Sequence, residues 1–439
     1  MTALLDSRWW RLAVGAFWTL VVIGLAVSMG RYVPSQPLLV LVAALAVLAL
    51  GITAVEPATV PLLMMPVLLV SYRVGAGSIG LSASDVGLGL AVLAALVFAP
   101  RPFSPTMRKL LWLNATYQFA TLFTVVANPY TSNTVEWFHA WVLVSGALVV
   151  GWTIGRRGHA RLGVGLFIAT AMLLGLATLV HAVMQYGHGD FSPVYLSWPY
   201  GMHKNFVGTV LAFAAITAYA RPDWLGWSKA RAMTMFWVLA AGLLVTQSRQ
   251  AILGLGAAII VIAFRGNPTQ RRSRLIVLAV IPALVLVGTL VKDQYESQNQ
   301  FNSVFTRLNW FVETTAFWLQ APWLGHGLRF WYQEGSAVAY QPPNAFLEVL
   351  ASAGLVGLAA FVAMVIGALV VLWRLDVRFG TLAVGLVISR LVQSQLDLFW
   401  VAVQVSVPFV LIGICVGAAD LGEPSRLTGV SLTPTGVDA

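Results

Sequence analysis

Five polar stretches interrupt this otherwise apolar chain, and each holds side chains that bind anions or move protons. In "VTQSRQAIL" (245–253), Arg249 stands among Gln247, Ser248 and Gln250 inside an apolar run. "YGMHKNFVGTVLAF" (200–213) puts His203 and Lys204 beside Asn205 at the mouth of another. "FTRLNW" (305–310) carries Arg307 three residues before Trp310. "APWLGHGLRFWYQEG" (321–335) brings His326, Arg329, Tyr332 and Glu334 together. "QPPNAFLEVLASAGLVGL" (341–358) sets Asn344 and Glu348 one helical turn apart.

The arginines define the chemistry. A guanidinium donates through a planar fork, the geometry that holds pyrophosphate oxygens two at a time. On an exposed turn Arg249 would snorkel to lipid headgroups. On a very tight turn between two short helices it would face a protein cavity at membrane depth, where an ionisable group marks a functional site. Spacing alone leaves both readings open. Metal chemistry finds no support: the six histidines lack zinc-like spacing, and His181 and His188 have only Asp190 nearby. There is no glycine-rich phosphate loop after a strand.

The elements that position these groups are membrane helices. Of 439 residues, 59% are hydrophobic and 10% charged, and the mean hydropathy is +0.82. Bilayer-spanning backbone must satisfy its own hydrogen bonds, and a helix does so with roughly 20 apolar residues. Apolar runs give candidate spans at 9–28, 37–54, 58–72, 86–100, 110–127, 137–155, 164–184, 205–220, 233–246, 250–264, 275–291, 345–373, 381–396 and 398–418. Several are short, so the expectation is an all-α integral membrane protein with 12–14 transmembrane helices. Threading them in alternation puts most cations on one side, among them Arg8, Arg11, Arg101, Arg108, Lys109, Arg156, Arg157, Arg161, Arg265, Arg271, Arg272 and Arg374. The positive-inside rule makes that side, and both termini, cytoplasmic. The net charge of +10 is therefore topological, and no nucleic-acid partner is expected. The first span is expected to be retained, and Cys415, the single cysteine, to be a small core residue.

Residues 1–439 read as one polytopic membrane domain. Two expected outside connections are long, 185–204 and about 292–343, and long loops in compact proteins tend to be functional. From Ser303 to Gln320 aromatics alternate with polar residues as in an amphipathic helix on the outer interface, ended by Pro322 and Gly325. The working site is thus expected on the extracytoplasmic face. A transporter of small solutes, the alternative of another class, would show internal repeats and midplane charges. Here Arg390 is the clear intramembrane charge, with Asp397 near a span end as its expected partner.

In order along the chain, "GMHKNFVGTVLA", "LLVTQSRQAILGLGAAIIV", "FTRLNWFVETTAFWLQAPWLGHGLRFW" and "PPNAFLEVLASAGLVGL", preceded by "IGLSASDVGLGLAVLAAL" at 79–96, resemble the O-antigen ligase and O-antigen polymerase superfamily. The resemblance runs from about 79 to 358. It implies a GT-C-like, inverting, metal- and cofactor-independent glycosyltransferase of the bacterial inner membrane. The implied donor is a glycan on undecaprenyl pyrophosphate; the acceptor is a sugar hydroxyl on a glycolipid such as lipid A core. Polymerisation onto a second lipid-linked chain is the alternative. Arg249 and Arg307 match the arginines that hold the donor pyrophosphate, and Asn344 matches the Asn of a His-Asn pair. Where that His stands this chain has Pro343, which cannot take a proton. The base is then expected at His326 or Glu334, with Glu348 behind them, unless stabilised departure of pyrophosphate carries most of the rate. Arg329, His203, Lys204, Asn344, Glu348 and Tyr332 complete the expected substrate-binding set, together with surrounding membrane lipids.

Overall fold

Backbone in lipid needs internal partners, and the described residues find them in helices, with only two isolated β-bridges among them. A computed structural model describes residues 51–73, 81–265, 303–333 and 335–422, with scattered helical positions between 20 and 48 and between 278 and 289. Most of the expected spans 9–28, 37–54 and 275–291, and Glu334, lie outside the described residues. The helices are α1 (Thr59–Val67), α2 (Ala83–Phe98), α3 (Pro105–Ala127), α4 (Thr131–Arg156), α5 (Ala160–Gly187) and α6 (Lys204–Ala220). They continue as α7 (Lys229–Thr246), α8 (Arg249–Arg265), α9 (Ser303–Trp318), α10 (Ala345–Trp373), α11 (Val377–Gln393) and α12 (Ala402–Gly422). Every expected span within the described ranges coincides with a helix. Six of them, α3, α4, α5, α7, α10 and α12, are long and apolar enough to cross a membrane. The chain is an all-α integral membrane protein.

Polar caps set the helix starts. Ser82 and Asp85 close a capping box on α2, Ser104 precedes Pro105 on α3, and Ser228, Asn344 and Asp376 cap α7, α10 and α11. Small residues set the closest crossing. Gly151 and Gly155 of α4 face Gly413 and Gly417 of α12, and a Cβ at any of them would run into the opposite backbone. Two small-xxx-small stripes thus let the helices touch, the packing that substitutes for a hydrophobic driving force in lipid. At the basic end of the bundle Arg265 donates to the carbonyls of Leu372, Trp373, Leu375 and Gly380, where α10 ends and α11 begins.

Helix α10 is broken at Gly354, whose φ of 64° and ψ of −165° belong to a region essentially restricted to glycine. The break frees the carbonyls of Ala351 and Ser352 and the N–H groups of Leu355 and Val356. Residues 322–327 take all four. His326 and Gly327 donate to Ala351 and Ser352 at 3.0 and 2.9 Å. Leu355 and Val356 donate to Pro322 and Trp323 at 2.9 and 3.3 Å. On its other side this loop meets α3 and the connection to α4: Thr124 and Asn128 donate to the carbonyls of Leu324 and Gly325, and Tyr130 to that of His326. Irregular backbone is accommodated here because protein surrounds it.

Candidate functional site

The turn between α7 and α8 is two residues long. Gln247 adopts φ 50°, in the left-handed region, and Ser248 accepts from the N–H groups of Ala251 and Ile252. The turn is wedged rather than displayed: Ser248 and Gln250 are buried, and Gly208 of α6 passes so close that a Cβ there would stand 2.5 Å from that of Ser248. Helix α8 packs on α11 and α6 more than on α7. Arg249 is therefore the first residue of a helix that starts against the bundle.

Two helix N-termini meet at this place. Helix α6 begins at Lys204, capped by His203, whose Nδ1 accepts from the Asn205 N–H at 3.2 Å. Helix α8 begins at Arg249. Free N–H groups and aligned peptide dipoles make such ends attractive to anions. From a third element, α9, comes Arg307. Lys204 lies in the field of both Arg249 and Arg307, and Arg249 in that of Arg307. Burial lowers the pKa of Arg307 from its ordinary value, opposed by Asp397. Burial likewise draws the His203 imidazole below its usual range, with Asp397 opposing and Lys204 adding to the shift. With Nδ1 accepting, neutral His203 offers an Nε2–H donor. The expected residues Arg249, Arg307, Lys204 and His203 are thus brought together.

Asp397 is the carboxylate whose field reaches Arg307 and His203, a residue the sequence offers only as a partner for Arg390. Gln250 and Gln404 donate to its Oδ2 at 3.1 and 3.3 Å. Arg390, 3% exposed, reaches it through Gln404, donating to Gln404 Oε1 at 3.0 Å and to the carbonyls of Leu398 and Phe399. The described contacts between Arg390 and Asp397 run by this bridge. The signal in the sequence was a carboxylate at a span end, in "QSQLDLFW", beside unusually many amides.

Asn344 and Glu348 secure the same loop, 394–401. Asn344 accepts from the N–H groups of Phe346 and Leu347, and its amide donates to Gln395. The Ala345 N–H bonds Ser394 O at 2.8 Å. Glu348 is 1% exposed, accepting from Gln341 at 2.8 Å and from the Phe399 N–H at 3.3 Å. Both residues are consumed in holding the segment that presents Asp397.

The remaining expected residues gather elsewhere. His326 stacks on Phe317 at 3.8 Å, and its Nε2 is 2.8 Å from the Phe317 carbonyl. Arg329 pairs with Glu136 and lies over the Tyr332 ring at 5.6 Å. Glu136 is 3.2 Å from His139, which reaches Asp85 at 2.8 Å. With a carboxylate on each ring nitrogen, His139 is a cation in an alternating row of four charges that docks 326–332 onto α4 and α2. Nothing in the spacing of Asp85, Glu136 and Arg329 announces this row. On α9, Leu308 and Val312 are exposed one turn apart while Thr314 and Phe317 are buried, as in a helix lying at an interface. It spans Ser303–Trp318, two residues shorter than the expected Ser303–Gln320.

Residues 234–362 match a family model described as O-antigen ligase, in support of the superfamily resemblance and of a glycosyltransferase activity of the O-antigen ligase and polymerase kind. The matched segment takes in Arg249, Arg307, His326, Arg329, Asn344 and Glu348, while His203, Lys204 and Asp397 fall outside it. A comparison with curated proteins finds no match.

Proposed function

We propose that this protein transfers a glycan from undecaprenyl pyrophosphate to a sugar hydroxyl of an acceptor glycolipid such as lipid A core, as an O-antigen ligase does, with inversion and without a metal. The observation that carries the reading is the convergence of Arg249, Arg307 and Lys204, from three separate helices and at two helix N-termini, around one place. Two guanidinium forks and an ammonium directed to one place suit the paired, doubly charged oxygens of a diphosphate. The charges of the bundle's other end follow the positive-inside rule, so the site opens to the periplasm and both termini are cytoplasmic.

In the transfer, the acceptor hydroxyl oxygen forms a bond to the anomeric carbon while the bond from that carbon to the pyrophosphate oxygen breaks. Undecaprenyl pyrophosphate leaves with the electron pair. Arg249, Arg307 and Lys204 stabilise the charge that grows on it, and the Nε2–H of His203 adds a neutral donor. The hydroxyl proton goes to Asp397, whose Oδ2 is held by Gln250 and Gln404. Asp397 takes the place of the base that Pro343 cannot provide. His326, turned to Phe317, and Arg329, turned to Glu136, hold residues 326–332 in place.

The test is reconstitution in lipid nanodiscs with chelator, an undecaprenyl-pyrophosphate-linked glycan, and either lipid A core or a second lipid-linked glycan as acceptor. Transfer to lipid A core supports the ligase reading, and transfer to the second carrier replaces it with polymerisation. Absence of transfer to both refutes the enzyme. Asp397→Asn is expected to lower kcat at least 100-fold, about 3 kcal/mol, with donor affinity kept; unchanged kcat removes Asp397 as the base.

A further inference from the structure

The loop that leads into His203 is built as a rigid arm over the site. Val194 and Leu196 are 1% and 6% exposed, and Tyr195 between them is 47% exposed, the alternation of an extended segment with one face buried. The Met202 N–H returns to the Leu196 carbonyl at 2.7 Å and closes a hairpin whose tip carries Trp198, 80% exposed. Three long-range bonds fix the arm. The Val194 N–H donates to Val245 O at 3.2 Å, Gln247 Nε2 donates to Phe191 O at 2.9 Å, and the Ser71 N–H donates to the Tyr200 hydroxyl at 2.9 Å. Two of these anchors lie within the residues leading into Arg249, and the third lies on the connection before α2. The arm therefore crosses from one helix group to another across this end of the bundle, and Tyr195 shares a frame with the cations. Its ring stands edge-on to His203 with centroids 5.6 Å apart.

We propose that Tyr195, with Trp198 at the tip, forms a sugar subsite that takes the apolar face of the pyranose attached to the donor pyrophosphate. The inference rests on the pyrophosphate reading above. A sugar joined directly to a diphosphate must lie beside the groups that bind it, and His203 is one of those groups. Axial C–H bonds give a pyranose an apolar face, which packs on an aromatic ring whose edge is already fixed. Tyr and Trp supply that surface with little side-chain entropy to lose. Aromatics that merely mark the lipid boundary sit at span ends among acyl chains; these sit on a tethered hairpin beside a cationic cluster.

The full-length protein in nanodiscs is titrated with two probes, undecaprenyl pyrophosphate and undecaprenyl-pyrophosphate-N-acetylglucosamine. Wild type is expected to bind the sugar-bearing carrier more tightly. Tyr195→Ala should weaken the sugar-bearing carrier about five- to tenfold, the size of an aromatic packing contact, and the bare carrier less than twofold. Tyr195→Phe should restore the difference, and Trp198→Ala should reduce it. Equal weakening on both probes, or no weakening on either, overturns the subsite and makes the arm a structural or lipid-facing element. Bare-carrier binding without any sugar increment in wild type overturns the subsite alone. Failure of wild type to bind either carrier overturns the pyrophosphate reading and the subsite with it. Thermal melting of each variant separates misfolding from lost recognition.

Discussion

Arg307→Gln is the sharpest perturbation of the anion site, because Arg307 reaches it from α9, outside the helices that form the floor. A charge-assisted hydrogen bond contributes about 1.5–3 kcal/mol, and a bidentate pair about twice that. Lys204 and Arg249 remain in the variant and solvent reaches the partly buried side chain, so the lower end applies. A loss of about 3 kcal/mol corresponds to about two orders of magnitude in kcat/KM. The unliganded protein should respond in the opposite sense or hardly at all. Arg307 lies in the field of like-charged Arg249 and Lys204 as well as of Asp397, so relief of repulsion offsets the lost attraction and the melting temperature should stay within about 2 °C. Bound carrier adds RT ln(1 + [L]/Kd) to stability, so the same melting experiment with saturating undecaprenyl pyrophosphate should show stabilisation in wild type and much less in the variant. Arg307→Lys keeps the charge without the fork and should fall between them. Transfer within threefold of wild type, together with undiminished stabilisation by undecaprenyl pyrophosphate, would refute the assignment.

Three further outcomes follow from the same contacts. The His203 imidazole, drawn below its ordinary value of 6.5, binds fewer protons folded than unfolded; the protein should lose stability as pH falls below about 6.5 and show no such dependence above it. The effect is small because His203 is only partly withdrawn from solvent, and melting curves from pH 5 to 8 should show it absent in His203→Gln. Gln404→Leu removes the bridge between Arg390 and Asp397 and leaves a buried guanidinium short of one partner; about 1–3 kcal/mol of stability should be lost, with kcat falling while donor affinity holds, read by chemical denaturation and by kinetics with varied donor. Gly354→Ala places a Cβ at φ 64° against the backbone of Trp323 and Leu324; it should cost about 1–3 kcal/mol or more and loosen 322–327, measured as faster hydrogen exchange at Leu355 and Val356.

The helices were legible because lipid leaves little choice: an apolar run must satisfy its own backbone, so hydropathy alone placed α2 to α8 and α10 to α12. The tight turn at Gln247 and Ser248 was legible too, since four polar residues in an apolar run mark the point where one short helix must give way to the next. The cations Arg249, Arg307 and Lys204, with His203 beside them, announced themselves as polar groups set among apolar runs. Their grouping was not written locally. Asp397 meets Gln250 across 147 positions of sequence, and no periodicity in either segment encodes that meeting. In "QSQLDLFW" the sequence shows only a carboxylate near a span end; its amide partners Gln250 and Gln404 come from α8 and α12. Asn344 and Glu348 carried the right spacing, yet their partners Gln395 and Phe399 show that they hold a loop. Pro343 told where a base is lacking and said nothing of what stands near. Composition and local pattern determined the helices and the charges available; packing between distant helices decided which charges share a site, because desolvation and Coulomb interaction depend on distances in space.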